Sequence, residues 1–94
     1  MTRDELYDAN QFVVATLAYA RGILKEGGRP RTASSWYFHD LWVELRYVYL
    51  EGRVLVHDNG RTRTLTVRGH HPQEELAAVR LALTRPQQCG RLAV

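Results

Sequence analysis

Residues 41–68 constrain the fold of this chain more than any other stretch. Three runs rich in Val, Leu, Tyr, Thr and Trp alternate side to side, and they are punctuated by Glu51-Gly52 and Asn59-Gly60. Such pairs close tight hairpins, and the pattern predicts antiparallel strands over 41–50, 53–57 and 62–68. Because successive side chains point to opposite sides of a strand, a hairpin register fixes the composition of both sheet faces.

With Glu51-Gly52 as a two-residue connection, Tyr49 faces Val54, Tyr47 faces Val56, and Val43 and Leu45 continue the same side. A two-residue turn at Asn59-Gly60 adds Leu65 and Val67, with Arg63 marking a corner open to water. This side is expected to be the core. The other side holds Trp42, Glu44, Arg46, Val48 and Leu50, then Arg53, Leu55 and His57, then Thr62, Thr64, Thr66 and Arg68. In this register Val48, Leu55 and Thr64 form one row and an apolar island ringed by Arg and Thr, the composition of a contact surface.

Helices are expected before and after the meander. Thr2 with Glu5 three residues on fits a capping box, and Asp4, Glu5 and Asp8 place negative charge at the positive end of a helix dipole. Leu6, Ala9, Val13, Leu17, Ala20 and Leu24 follow one helical face from about Arg3 until Gly27-Gly28. Phe12, Val14, Tyr19 and Ile23 widen that face, which implies burial on two sides, by a second helix or the tail, or by self-association. Pro72 followed by Glu74 and Glu75 starts a second helix that runs to about Thr84, and Pro86 stops it. Residues 29–35 read as a basic loop, Trp36-Tyr37-Phe38 as a short optional strand, and 87–94 as a loose tail after a single domain spanning 1–86. The expected fold is therefore α+β, in the order α-β-β-β-α. Its meander sheet has three strands, or four if 36–38 joins, and both helices pack on one face and leave the other open.

Ninety-four residues make one domain with one modest core. The lone Cys89 cannot form an internal disulfide, the start lacks the order of a signal peptide, and the longest apolar run is too short for a bilayer. A cytoplasmic protein with no membrane partner is expected. The net charge of +3 rests on twelve arginines against Lys25 alone, a skew that reports GC-rich coding, as in a high-GC bacterium or a virus or plasmid living in one, more than selection for guanidinium chemistry.

Catalytic and metal chemistry find little support in the sequence. His39-Asp40, His57-Asp58 and His70-His71 lack the spacing of a helical or finger-type metal site, and turn chemistry or a helix start explains each. Neither Cys89 nor Ser34 and Ser35 lies in a nucleophile motif, and Gly27-Gly28 follows a helix instead of opening a phosphate loop after a strand. No cofactor is expected. The element order resembles that of the double-stranded-RNA-binding domain, but in order alone. That family reads RNA with a longer loop between its first two strands and a Lys-rich start to its second helix, where this chain has Glu51-Gly52 and Gln73-Glu74-Glu75.

The leading expectation is a small non-catalytic interaction module, a regulator or inhibitor that docks on another protein or on a second copy through its open sheet face or a strand edge. Its interaction surface would be Trp42, Arg46, Val48, Leu50, Arg53, Leu55, His57, Thr64 and Arg68. The alternative is a nucleic-acid-binding protein using Arg29, Arg31, Arg46, Arg53 and Arg68. An unrecognised enzyme or metal protein stands third.

Overall fold

The computed structural model describes residues 2–58 and 60–84. The elements run α1 (Arg3–Gly27), β1 (Arg29–Thr32), β2 (Ser35–Phe38), β3 (Leu41–Val48), β4 (Glu51–Asp58), β5 (Arg61–Arg68) and α2 (Pro72–Thr84). All five strands join one antiparallel sheet in sequence order. The α+β class and the two-helix frame are as the sequence predicts, but the sheet has five strands where three or four were expected. The short 36–38 strand exists as β2, and most of the presumed basic loop is β1, bulged after Pro30. The tail expected over 87–94 lies outside the described residues.

α1 begins as its capping signal requires, with the Glu5 N–H donating to Thr2 Oγ1 at 3.1 Å. Its Val13, Thr16, Ala20 and Leu24 turn to the sheet, and Val79 and Leu83 of α2 join them. The opposing sheet face supplies Trp36, Phe38, Leu41, Val43, Leu45, Val54, Val56 and Val67, which close the core. The second apolar stripe on α1 is only partly covered. Phe12 and Ile23 pack against the core margin, whereas Val14 and Tyr19 stay exposed among the described residues.

The β3–β4 register differs from the expected one. Tyr49 and Leu50 form the turn, with Leu50 at φ 59°, so Tyr47 meets Gly52 and Leu45 meets Val54. Gly52 lies inside β4 because a side chain there would collide with α1: a Cβ on it would stand 2.9 Å from Leu17 Cγ. A glycine that looks like a turn residue is thus a point of close approach between helix and sheet. Tyr47 and Tyr49, expected in the core, are 48% and 68% exposed. The Tyr47 hydroxyl donates to Asn10 Oδ1 on α1, which is a polar use of that ring at the core's edge.

The slip is an even number of residues, so each side chain keeps its face while its cross-strand neighbours change. Val48 stands opposite Glu51 and Leu55 opposite Glu44, so the apolar island expected from Val48 and Leu55 does not form. The β4–β5 register is as predicted, including Val54 with Leu65 and the awkward pairing of Val56 with Arg63. There Gly60 has φ 78°, the left-handed backbone that a tight turn asks of a glycine.

Candidate nucleic-acid interface

Both helices pack on one side of the sheet, and among the described residues no element covers the other side. The register orders that open face into rows running across the strands. The first row joins Tyr37, Trp42, His57 and Thr62, and the second joins Ser35, Glu44, Leu55 and Thr64. The third is Arg46, Arg53 and Thr66, and the last is Val48, Glu51 and Arg68.

The first row is a stack. His57 lies against Trp42 with ring centroids 4.0 Å apart and an interplanar angle of 18°. From the β1 side the Arg31 guanidinium sits 4.1 Å from the Trp42 ring centroid, so cation, indole and imidazole stand as three layers. At the far end His57 Nδ1 and Thr62 Oγ1 are hydrogen-bonded at 3.0 Å, which fixes the imidazole's rotation. Tyr37 is 43% exposed, with the guanidinium carbons of Arg29 and Arg31 at 5.7 and 5.8 Å from its ring centroid. Trp42 Nε1 and His57 Nε2 are buried with no hydrogen-bond partner among the described residues. Leaving such a group unpaired costs about 1–3 kcal/mol.

The remaining rows carry charge. Arg46 and Arg53 stand directly opposite each other, a like-charged pairing that weakens a sheet. Glu44 accepts from Arg46 Nε at 3.2 Å, and Glu51 lies 3.7 Å from Arg53 and 3.4 Å from Arg68. Two glutamates therefore answer three of the face's five arginines. Arg29 and Arg31 have no carboxylate within ion-pair distance among the described residues, and their neighbours are aromatic rings.

The sequence-derived residues are thus brought together in part. Trp42, Arg46, Arg53, Leu55, His57, Thr64 and Arg68 share the open face, and Val48 stands at its far end. Leu50 does not belong there, because it occupies the turn. All five arginines read as nucleic-acid contacts lie on this one face, and Arg29 and Arg31 reach it from strand β1 and not from a loop. Tyr37 was missed. The alternation of Arg29 and Arg31 with Pro30, and of Tyr37 with Trp36 and Phe38, was the available signal.

The histidines do not converge. His39 closes the β2–β3 turn with Asp40, His57 lies in the stack, and His70 and His71 precede α2. No group of three or more His, Cys, Asp or Glu among the described residues is placed to hold a metal ion. No described helix is long and apolar enough to cross a membrane.

Comparison of the chain with models of known families, with curated proteins and with solved structures finds no match, so the reading of this face rests on its own geometry.

Proposed function

We propose that the open sheet face binds single-stranded nucleic acid. The observation that carries this reading is the Arg31–Trp42–His57 stack beside the exposed Tyr37 ring, on a face that also gathers Arg29, Arg46, Arg53 and Arg68. With Trp42 sandwiched between Arg31 and His57, the exposed Tyr37 ring offers the stacking surface to an unpaired base, and arginines track the phosphates beside it. Thr62, Thr64 and Thr66 add a lane of hydroxyls on the same face, suited to phosphate or sugar oxygens.

A duplex fits this face poorly, because its bases are stacked on one another and hidden from the rings. The start of α2, Gln73-Glu74-Glu75, is acidic and unsuited to a phosphate-lined groove. The alternative reading, an apolar docking face for a protein, loses its central support once Val48 and Leu55 each stand opposite a glutamate.

The test is fluorescence anisotropy of a labelled oligonucleotide of about ten nucleotides, a length within the site sizes of sheet-based single-strand binders. Single strands should bind and the matching duplex should bind at least about tenfold more weakly. Arg53→Glu should abolish binding, while Arg80→Glu on the helix side should leave it unchanged. Equal loss from both variants would indicate attraction to overall charge and would remove this reading.

A further inference from the structure

The two edges of the sheet are built differently. β1 is four residues long, contains Pro30 and is bulged, all features that blunt an edge. β5 is eight residues long, pairs in unbroken register with β4, and contains no proline. Among the described residues it has a hydrogen-bonded neighbour on one side only. Its composition is β-branched and basic, with Thr62, Thr64, Thr66 and Val67 among Arg61, Arg63 and Arg68, and it holds no acid.

The geometry points to a specific occupant: an acidic extended peptide that adds to β5 as a sixth, antiparallel strand. The exposed row of backbone donors and acceptors favours a polypeptide, since phosphates satisfy arginines but cannot continue a hydrogen-bond ladder. Charge then selects among polypeptides. In its fullest antiparallel overlap a second copy would set Arg61 against Val67 and Arg63 against Leu65 and supply no carboxylate to either arginine, whereas an acidic strand supplies one to both.

Register makes the partner's pattern explicit. Arg61, Arg63, Leu65 and Val67 point to the helix side of the sheet, and the threonines point to the open face. Arg63 lies across from Val56 and has no carboxylate within ion-pair distance among the described residues. An antiparallel partner, read from its N-terminus, passes Val67 first and Arg61 last. It should carry apolar residues opposite Val67 and Leu65, and acids opposite Arg63 and Arg61, with β-branched polar residues between them. A peptide reading Val-Thr-Val-Thr-Glu-Thr-Glu, blocked at both ends, meets that description.

The experiment adds this peptide to the full chain and follows backbone amides by NMR and hydrogen exchange. The amides of β5 should shift and exchange more slowly, and Arg63→Glu should weaken binding by at least about tenfold, the loss typical of a removed charge pair in an interface. A peptide with Lys in place of Glu should fail on the native chain and regain binding on the double variant Arg61→Glu with Arg63→Glu. N-methylation of the peptide's ladder-forming amides should abolish binding without any change to the protein. Equal binding of the order-reversed peptide, or equal binding of the Lys peptide to the native chain, overturns the proposal. So does a dimer in light scattering whose β5 amides are already protected, because the second copy then holds the edge. Displacement of the peptide by an oligonucleotide, with shifts confined to the open face, likewise overturns it and leaves the reading of that face standing.

Discussion

Arg46 and Arg53 stand directly opposite each other across β3 and β4, on the one sheet face that no described element covers. Like charges in that position cost the fold a few tenths of a kcal/mol or more, and the surface ion pairs with Glu44 and Glu51 contribute energies of the same order. Replacing Arg53 by Thr should therefore leave stability unchanged or raise it by about 0.2–1 kcal/mol, by relief of the opposed charges. The same change should reduce the affinity for single strands several-fold. Denaturant unfolding and anisotropy titration of the one variant measure both.

The stack on the first row predicts an optical signal. Trp36 is in the core and Trp42 lies between Arg31 and His57, so only Trp42 should respond when bases or phosphates reach the face. Binding of a single strand should change the emission of the Trp36→Phe variant as it does that of the native chain. The Trp42→Phe variant should show no change. Arg31→Ala, which removes a cation–π contact worth about 0.5–1 kcal/mol, should shift the Trp42 emission even without ligand.

The β3–β4 turn is strained at a non-glycine residue. Leu50 has φ 59°, in the left-handed region that costs most L-residues about 1–2 kcal/mol. Leu50→Gly should raise the midpoint of thermal unfolding, because the about 1–2 kcal/mol of strain relieved exceeds the about 0.4–1 kcal/mol lost to glycine's greater freedom in the unfolded chain. Binding at the open face should not change, since Leu50 lies in the turn.

Two glycines mark where α1 meets the sheet layer, and they should differ in tolerance. A Cβ at Gly69 would collide with the Cβ of Ala9 and stand 2.7 Å from its Cα, part of the helix backbone. The nearest neighbours of a Cβ at Gly52 are side-chain atoms of Leu17, at 2.9 Å and beyond, and not helix backbone. Gly69→Ala should therefore destabilise by about 1–3 kcal/mol, the usual range for overpacking, and Gly52→Ala by less. Thermal unfolding of the two variants side by side decides this.

The parts of the fold that were legible are those where local chemistry and tertiary role agree. Thr2, Glu5 and Gly27-Gly28 bound α1 because caps are local devices, and the β4–β5 register followed from Gly60 because that turn needs glycine's backbone freedom. The β3–β4 turn was misplaced because Tyr49-Leu50 carries no turn signal, while Gly52 imitates one for a reason that only Leu17, thirty-five positions away in sequence, explains. β1 was hidden by Pro30, which suits an edge strand and disqualifies a central one. Apart from Leu50, which falls in the turn, the membership of the open face survived the wrong register because an even slip preserves faces. Its rows did not survive, and the rows separate an apolar docking island from an aromatic and basic surface.

Salt dependence of single-strand binding tests that surface most directly. Each phosphate neutralised on a single strand contributes about −0.7 to the slope of log affinity against log salt concentration. With Arg29, Arg31, Arg46, Arg53 and Arg68 on one face, the native chain should give a slope of about −2 to −3.5, and Arg53→Thr should make it shallower by about 0.7. No binding of single-stranded DNA or RNA even at low salt, or a slope unchanged by the loss of Arg53, would contradict the account.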